Sequence, residues 1–213
     1  MSEELKKYRD NHSDFDKNIA VRSFADPLHQ FSSWFDHAVE SKVLEANAMV
    51  VSTVSKQNTP ASRVVYLKEM DENGFVFYTN YNSEKGQHLA VNCQASLLFF
   101  WPELQQQIQI RGEVQKINEA QSDAYFDSRP RASQLGAWAS EQSQVLKSEE
   151  ELKERLTLLE KQFKDKVPRP THWGGYKLAP VYFEYWQGKP SRLHTREIFE
   201  KREGQWFKYF KNP

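Results

Sequence analysis

Three groups of polar residues in this sequence have the types and spacings that grip anions. Arg192, His194 and Arg196 fall at every second position of SRLHTR. A strand points alternate side chains to one face, so two guanidiniums and an imidazole would share a surface. Arginine binds phosphate or carboxylate through paired hydrogen bonds, and histidine exchanges a proton near neutral pH. An open strand face with alternating charges gives the same pattern. In the second group, Arg63 and Lys68 bracket RVVYLK, and Ser83 and Lys85 open the helix-like SEKGQHLAVN. A helix start offers unpaired N–H groups and a positive dipole end to a phosphate, although lysines at such places are also ordinary surface. In the third, Tyr125, Arg129 and Ser133 are spaced by four, which aligns side chains on one helix. Pro130 disfavours helix at Arg129. A break there could aim a phenol, a guanidinium and a hydroxyl into one pocket, the donor set for a phosphate monoester, or leave Arg129 beside its own helix's last carbonyls.

Other chemistries are missing from the sequence. There is no glycine-rich phosphate loop, HExxH pair or GxSxG elbow, and Gly86, Gly174 and Gly175 lack the surroundings of a dinucleotide fingerprint. Lysine plus arginine and aspartate plus glutamate both number 29, so no net charge draws the chain to nucleic acid or an anionic membrane. Cys93 is the single cysteine, which excludes an internal disulfide and a cysteine zinc cluster, and points to a reducing compartment with Cys93 as a small buried residue. No apolar run nears the roughly 18 residues that span a bilayer, and MSEELKKYRDNHSDFD has no signal-peptide core. A cytoplasmic protein is expected. Aromatic residues make up 14% of the chain, with six tryptophans, enough for a core, a subunit interface and stacking on a planar ligand.

Residues 1–25 are polar without sustained period and read as a mobile arm, leaving 26–213 as one domain. Asp26-Pro27 is an N-cap and first helical position, followed by the stripe Leu28, Phe31, Trp34, Phe35 and Ala38, ending near Val43. AMVVSTVS, SRVVYLKEM and FVFYTN, joined by QNTP and DENG turns, predict an antiparallel meander in a small barrel. ASLLFFW and QQIQIRGEVQKI are further strands, the latter with an irregularity near Gly112. Asn118 caps a helix that stops at SRPR, SQLGAWAS is a short helix, and Ser148 with Glu151 form a capping box for a helix carrying Leu152, Leu156, Leu159 and Phe163. VPRPTHWGG reads as a loop, and PVYFEYWQ, RLHTREIFE and QWFKYFK as closing strands.

The segments NAMVVSTV, RVVYLK, FVFYTN, SLLFFW, YFDSRPRASQLGAWASEQS, WGGY and FEYWQGKPSRLHTR, in this order, give the chain from about Asp26 onward a resemblance to the pyridoxine (pyridoxamine) 5′-phosphate oxidase family. The resemblance implies a mainly β fold with flanking helices, the FMN-binding split β-barrel, in a homodimer with FMN at the interface. It implies oxidation of pyridoxamine 5′-phosphate and pyridoxine 5′-phosphate to pyridoxal 5′-phosphate, with O2 as acceptor and release of H2O2, and of ammonia from the amine. A non-catalytic binder of flavin or B6 phosphate, and a flavin reductase, are the alternatives.

Carried over by position, FMN would be held by Arg63, Val64, Val65, Tyr66, Leu67 and Lys68, by Tyr78 and Thr79, and by Ser83 and Lys85 near its phosphate. Gln107, Gln142, Ser143, Trp186 and Arg196 would add further contacts. Lys68, Tyr125, Arg129 and Ser133 would grip the substrate phosphate, with Arg192 and His194 at the reacting carbon as the catalytic pair. Three positions depart from the family pattern: Glu84 stands where an arginine is usual, Thr195 where an acid or amide follows RLH, and LKKYRD with Tyr8 aligns only loosely with the family's arm. Arg63 and Lys68 differ by an odd number, so a regular strand would face them apart, and one shared site requires a bulge or a ligand around the strand end.

Overall fold

A computed structural model of the chain describes residues 23–213. The arm predicted over 1–25, with Tyr8, therefore lies outside the described residues except for Ser23, Phe24 and Ala25. Five α-helices are formed among them: α1 (Pro27–Glu40), α2 (Glu84–Val91), α3 (Glu119–Ser128), α4 (Arg131–Ala139) and α5 (Glu149–Gln162). Nine strands accompany them: β1 (Ala48–Val54), β2 (Pro60–Tyr66), β3 (Glu69–Asp71), β4 (Gly74–Asn80), β5 (Gln94–Trp101), β6 (Gln106–Lys116), β7 (Trp173–Gln187), β8 (Thr195–Arg202) and β9 (Gln205–Lys211). The strand order is β2-β1-β5-β6-β7-β4-β3, with β8 paired to β7 and β9 to β8. The chain is mainly β with flanking helices, as its patterning predicts.

The described residues divide into two compact units, one of residues 23–47, Leu98–Ile110 and Val181–Pro213, the other of Ala48–Leu97 and Arg111–Pro180. In the first, α1 opens as expected: the Asp26 carboxylate accepts the His29 N–H at 2.6 Å and Pro27 follows as the first helical residue. The helix stops at Glu40, three residues before the expected end, and Lys42 takes a left-handed backbone. Phe31 and Trp34 bury fully and meet aromatic edges, Phe31 on Phe99 at 5.2 Å and Trp34 on Tyr185 at 5.2 Å. Tyr185 satisfies its buried hydroxyl by donating to the Pro27 carbonyl at 2.6 Å. Glu197 is also buried, and accepts from Gln30 Nε2 at 2.5 Å and Ser23 Oγ at 2.7 Å while Lys208 pairs with it at 2.6 Å. This charge is tolerable in a core because each acceptor oxygen has a donor.

In the second unit, β1 alternates as a half-covered strand, with Met49, Val51 and Thr53 inward. The expected continuous meander is broken, because SRVVYLKEM is two strands: β2 pairs with β1 from Ala48↔Tyr66 to Val54↔Pro60, whereas β3 pairs with β4. The chain turns at Leu67, which buries, and Lys68 donates its backbone N–H to the Val76 carbonyl at 2.9 Å. Trp173 to Gly175, expected in a loop, are the start of β7 and pair with β4 through Tyr78↔Gly175 and Thr79↔Gly174. Glycine content hid that strand, since glycine is depleted in strands generally.

The 15-residue β7 uses Trp173–Leu178 against β4 and Tyr182–Gln187 against β8. Pro180, with no N–H for a ladder, falls between the two pairing segments. Helices α3, α4 and α5 gather around Phe126, Leu135, Val167 and Trp173, with Leu156, Leu159 and Phe163 packed on that cluster. The α5 stripe is only half-buried, so this helix depends on its ends and ion pairs as well: Ser148 Oγ accepts the Glu151 N–H at 3.2 Å and Arg155 pairs with Glu151 at 2.8 Å. Cys93, expected to be buried, is exposed where α2 joins β5.

Strand β6 shows no irregularity at Gly112. Its burial alternates without a break from Gln106 to Val114, and Gly112 occupies an inward position. A Cβ there would stand 2.0 Å from the Ala179 carbonyl oxygen, and the atoms it would strike are backbone. Gly112→Ala is therefore expected to lower the unfolding free energy by about 1–3 kcal/mol or more, measured by urea denaturation, because two backbones must separate to admit one methyl group.

Candidate functional site

The second unit contains a cavity of about 940 Å³, within the range of small-molecule sites. Its anion-binding character begins at the start of α2. Ser83 is the N-cap, with its Oγ accepting from Gly86 N–H and donating to the Asn80 carbonyl at 2.6 Å. Two residues on, Lys85 is 5% exposed, and its Nζ donates to Thr79 Oγ1 at 3.0 Å, Ser83 Oγ at 3.2 Å and Gln142 Oε1 at 3.3 Å. These three partners are neutral oxygens. Burial, and then the nearby Arg63 charge, bring the Lys85 ammonium down to about 8, with Glu84 opposing them. A cation so placed favours an anion in the cavity.

Arg63 faces the same space. Its Nη1 is fixed by Thr53 Oγ1 at 2.7 Å and by the Ala61 and Val51 carbonyls at 2.9 and 3.4 Å, and its Nη2 donates to Glu84 Oε2 at 2.7 Å. Lys68 lines the cavity as well, with its Nζ over the Tyr66 ring at 5.1 Å. The parity conflict with Arg63 disappears because β2 has ended before Lys68, so strand alternation does not govern it. Val64, Val65 and Tyr66 contribute to the lining, whereas Leu67 is buried and does not.

The opposite wall comes from the break between α3 and α4. Arg129 caps α3 in extended conformation because Pro130 follows, and Ser133, in the first turn of α4, donates its N–H to the Pro130 carbonyl at 2.8 Å. Tyr125, Arg129 and Ser133 consequently line one cavity together with Gln142 and Ser143. Tyr78 stacks on Tyr125 at 3.8 Å and on Trp173 at 5.5 Å, and Gly175 permits the approach, since a Cβ there would lie 2.9 Å from the Tyr78 ring. The Tyr78 hydroxyl donates to Glu69 at 2.7 Å, and burial with that carboxylate raises its pKa. The Arg129 guanidinium lies 4.5 Å over Trp173. Its Nη1 is buried and has no protein acceptor among the described residues, and burial lowers the guanidinium's pKa.

Gln107, Trp186, Arg192, His194 and Arg196 belong to the first unit and are absent from this lining. The proposed alternation of Arg192, His194 and Arg196 on one strand is incorrect. Pro190–Arg192 form a 3-10 turn, Ser191 and Arg192 have φ of 57° and 60°, and β8 begins only at Thr195. The two left-handed residues replace the extended backbone that alternation requires. Arg196 is on β8 opposite Trp186, with Nε donating to Glu184 at 2.7 Å and Nη1 to the Asn212 carbonyl at 3.0 Å. Burial raises the Glu184 pKa, but hydrogen bonds from Arg196 and Tyr182 outweigh it and the net shift is downward.

His194 Nδ1 accepts the Lys189 backbone N–H at 3.1 Å, and its ring lies 4.7 Å from Trp186. Neutral His194 therefore carries its proton on Nε2. Burial and then the Arg192 charge lower its pKa, favouring that neutral form. Sequence reasoning missed Thr53, Trp173 and Glu184 as supports of these groups. Only WGGY signalled any of them, through its paired glycines.

Residues 35–164 match the family model for pyridoxamine 5′-phosphate oxidase, and residues 173–213 match that for the pyridoxine 5′-phosphate oxidase C-terminal dimerisation region. The pyridoxine/pyridoxamine 5′-phosphate oxidase of Cyanothece sp. is 50% identical over 181 residues, covering 84% of this chain and 85% of its own. That of Ralstonia pickettii is 50% identical over 183 residues, covering 85% and 86%. PhzG from Burkholderia lata 383, solved with tetrahydrophenazine-1-carboxylic acid, superposes with a TM-score of 0.87 at 27% identity, covering 93% of this chain and 99% of that one. An FMN-binding protein from Nostoc punctiforme shares the fold alone, with a TM-score of 0.71 at 16% identity, covering 88% and 98%. The fold is the split β-barrel with flanking helices. By two family models and about half its residues in common with these relatives, the chain belongs to the pyridoxine/pyridoxamine 5′-phosphate oxidase family and is an oxidoreductase.

Proposed function

We propose that the chain binds FMN and oxidises pyridoxamine 5′-phosphate and pyridoxine 5′-phosphate to pyridoxal 5′-phosphate, with O2 as acceptor. The observation that carries this reading is a single cavity with two separate anion grips, Lys85 held by neutral oxygens and Arg129 with an unpartnered Nη1. A phosphorylated cofactor and a phosphorylated substrate need two such grips. FMN would be held by Arg63, Val64, Val65, Tyr66, Leu67 and Lys68, by Tyr78 and Thr79, and by Ser83, Lys85, Gln142 and Ser143, with its phosphate at Lys85. Leu67 would take part through its backbone. Lys68, Tyr125, Arg129 and Ser133 would take the substrate phosphate.

Gln107, Trp186, Arg192, His194 and Arg196 line no part of the cavity. In a homodimer with FMN at the interface, a second copy of the chain brings these groups to it, in keeping with the match of residues 173–213 to a dimerisation region. When bound, FMN would supply the hydride acceptor for the substrate's C4′ carbon and the route for its electrons to O2, giving H2O2; the alcohol would give the aldehyde directly, and the imine from the amine would be hydrolysed by water to the aldehyde and ammonia. The protein's own work is to hold that carbon in place. His194 offers Nε2–H as a donor, so it would hold a substrate oxygen or nitrogen rather than remove a proton. Arg192 supplies a cation whose charge reaches His194. Glu184 keeps Arg196 in position.

Purified protein saturated with FMN is expected to consume O2 and form pyridoxal 5′-phosphate from both substrates, followed by the product's absorbance. Failure to convert either one overturns the reading, and FMN binding without peroxide would select a non-catalytic binder. Arg192→Ala is expected to abolish most turnover while retaining FMN. Arg129→Met should raise KM about 10- to 100-fold for phosphorylated substrates at unchanged FMN affinity, the value of one charge-assisted hydrogen bond.

The Lys85 ammonium also carries a stability cost. With its folded pKa lowered from 10.5 to about 8, Lys85 costs the fold most below about 8, and this cost fades as the pH rises from there towards 10.5, where the unfolded chain also loses its proton. Lys85→Met is expected to raise the thermal midpoint of the FMN-free protein at pH 7, to lose FMN affinity, and to converge with wild type in stability as the pH rises through that window, measured by thermal unfolding at several pH values.

A further inference from the structure

We infer that Glu84 is a built-in competitor for the phosphate in this cavity: its carboxylate occupies Arg63 when the anion is absent and yields that guanidinium to the anion when it binds. The inference deepens the FMN reading above and rests on it. The geometry separates a fixed partner from a releasable one. Arg63 is held through Nη1 by three oxygens, Thr53 Oγ1 and the Ala61 and Val51 carbonyls, and its side chain is 19% exposed. The guanidinium cannot follow a ligand without breaking these bonds. Glu84 meets it only at Nη2, through Oε2 at 2.7 Å, and the Glu84 side chain is 56% exposed. Among the described residues only Arg63 holds the Glu84 carboxylate, which can turn to water at small cost.

Glu84 is also the first residue of α2, directly between the Ser83 cap and Lys85, and it lines the cavity with Arg63 and Lys85. The carboxylate thus sits where a helix start and two cations favour an anion, and in part takes the place of one. A phosphate dianion entering beside Lys85 meets a negative charge and a cation already satisfied. Binding is an exchange of anions on Arg63, so the chain's affinity for phosphorylated flavin is lower than its cations alone would provide. An exposed ion pair with no bearing on the ligand is the alternative.

Titration of the FMN-free full-length protein with FMN and with riboflavin, read by quenching of flavin fluorescence, separates the two. Glu84→Gln, which removes the charge but keeps a hydrogen-bond acceptor for Arg63, is expected to tighten FMN binding about 3- to 10-fold at low salt and to leave riboflavin affinity unchanged. The gain should shrink at roughly 0.5 M salt, where exposed charges are screened. Glu84→Arg should extend the gain. Unchanged or weaker FMN binding in Glu84→Gln, or an equal change with riboflavin, overturns the inference while the flavin reading stands. Wild-type protein that binds neither flavin overturns both.

Discussion

Burying a cation in a protein costs free energy unless something of opposite charge meets it, and the pocket-bearing unit is built around that cost. Among the described residues Lys85 has three hydrogen bonds to neutral oxygens and no direct carboxylate, so its charge is solvated by them but not neutralised. Each donor and acceptor around it comes from a different piece of chain: Thr79 from β4, Ser83 from the cap of α2, Gln142 from the segment after α4. Holding these pieces in register is what the β4–β7 pairing and the glycines of WGGY accomplish. The site is consequently a place where stability is given up for affinity, which is common where function requires an unsatisfied group.

Arg129 follows the same logic by other means. Its guanidinium rests on the face of Trp173, so part of its charge is met by a ring quadrupole, and Nη1 is left without an acceptor. Trp173 is shared between this contact and the cluster that organises α3, α4 and α5. Packing of the helices and aim of the arginine are therefore one problem. The stack of Tyr78 on Tyr125 and Trp173 ties the same wall to β4. Lys85 and Glu84 are neighbours on α2, yet the first is buried and the second has an exposed side chain.

Much of the local structure was legible from residue order. The Asp26, Ser83, Asn118 and Ser148 caps each accept the N–H that their sequence positions imply, because capping depends on three or four consecutive residues. Pro130 ended α3 as expected and brought Tyr125, Arg129 and Ser133 to one cavity. Where prediction failed, the cause was non-local. The alternation of Arg192, His194 and Arg196 assumed a strand whose start is decided by pairing with β7, and that pairing begins at Thr195. The reason for Gly112 is not legible in β6 itself, where nothing announces the Ala179 carbonyl against it.

The sequence by itself determined the mainly β class, the helix ends, the family and the residue types that can bind two phosphates, since these depend on periodicity, capping and ordered motifs along the chain. Tertiary structure decided that β2 ends before Lys68, so that Arg63 and Lys68 share a cavity, and that Glu84 spends its charge on Arg63. It also decided which nitrogen of His194 carries the proton, through a backbone N–H five residues away. Each of these depends on atoms brought together from separate segments, and a linear pattern carries no record of such meetings.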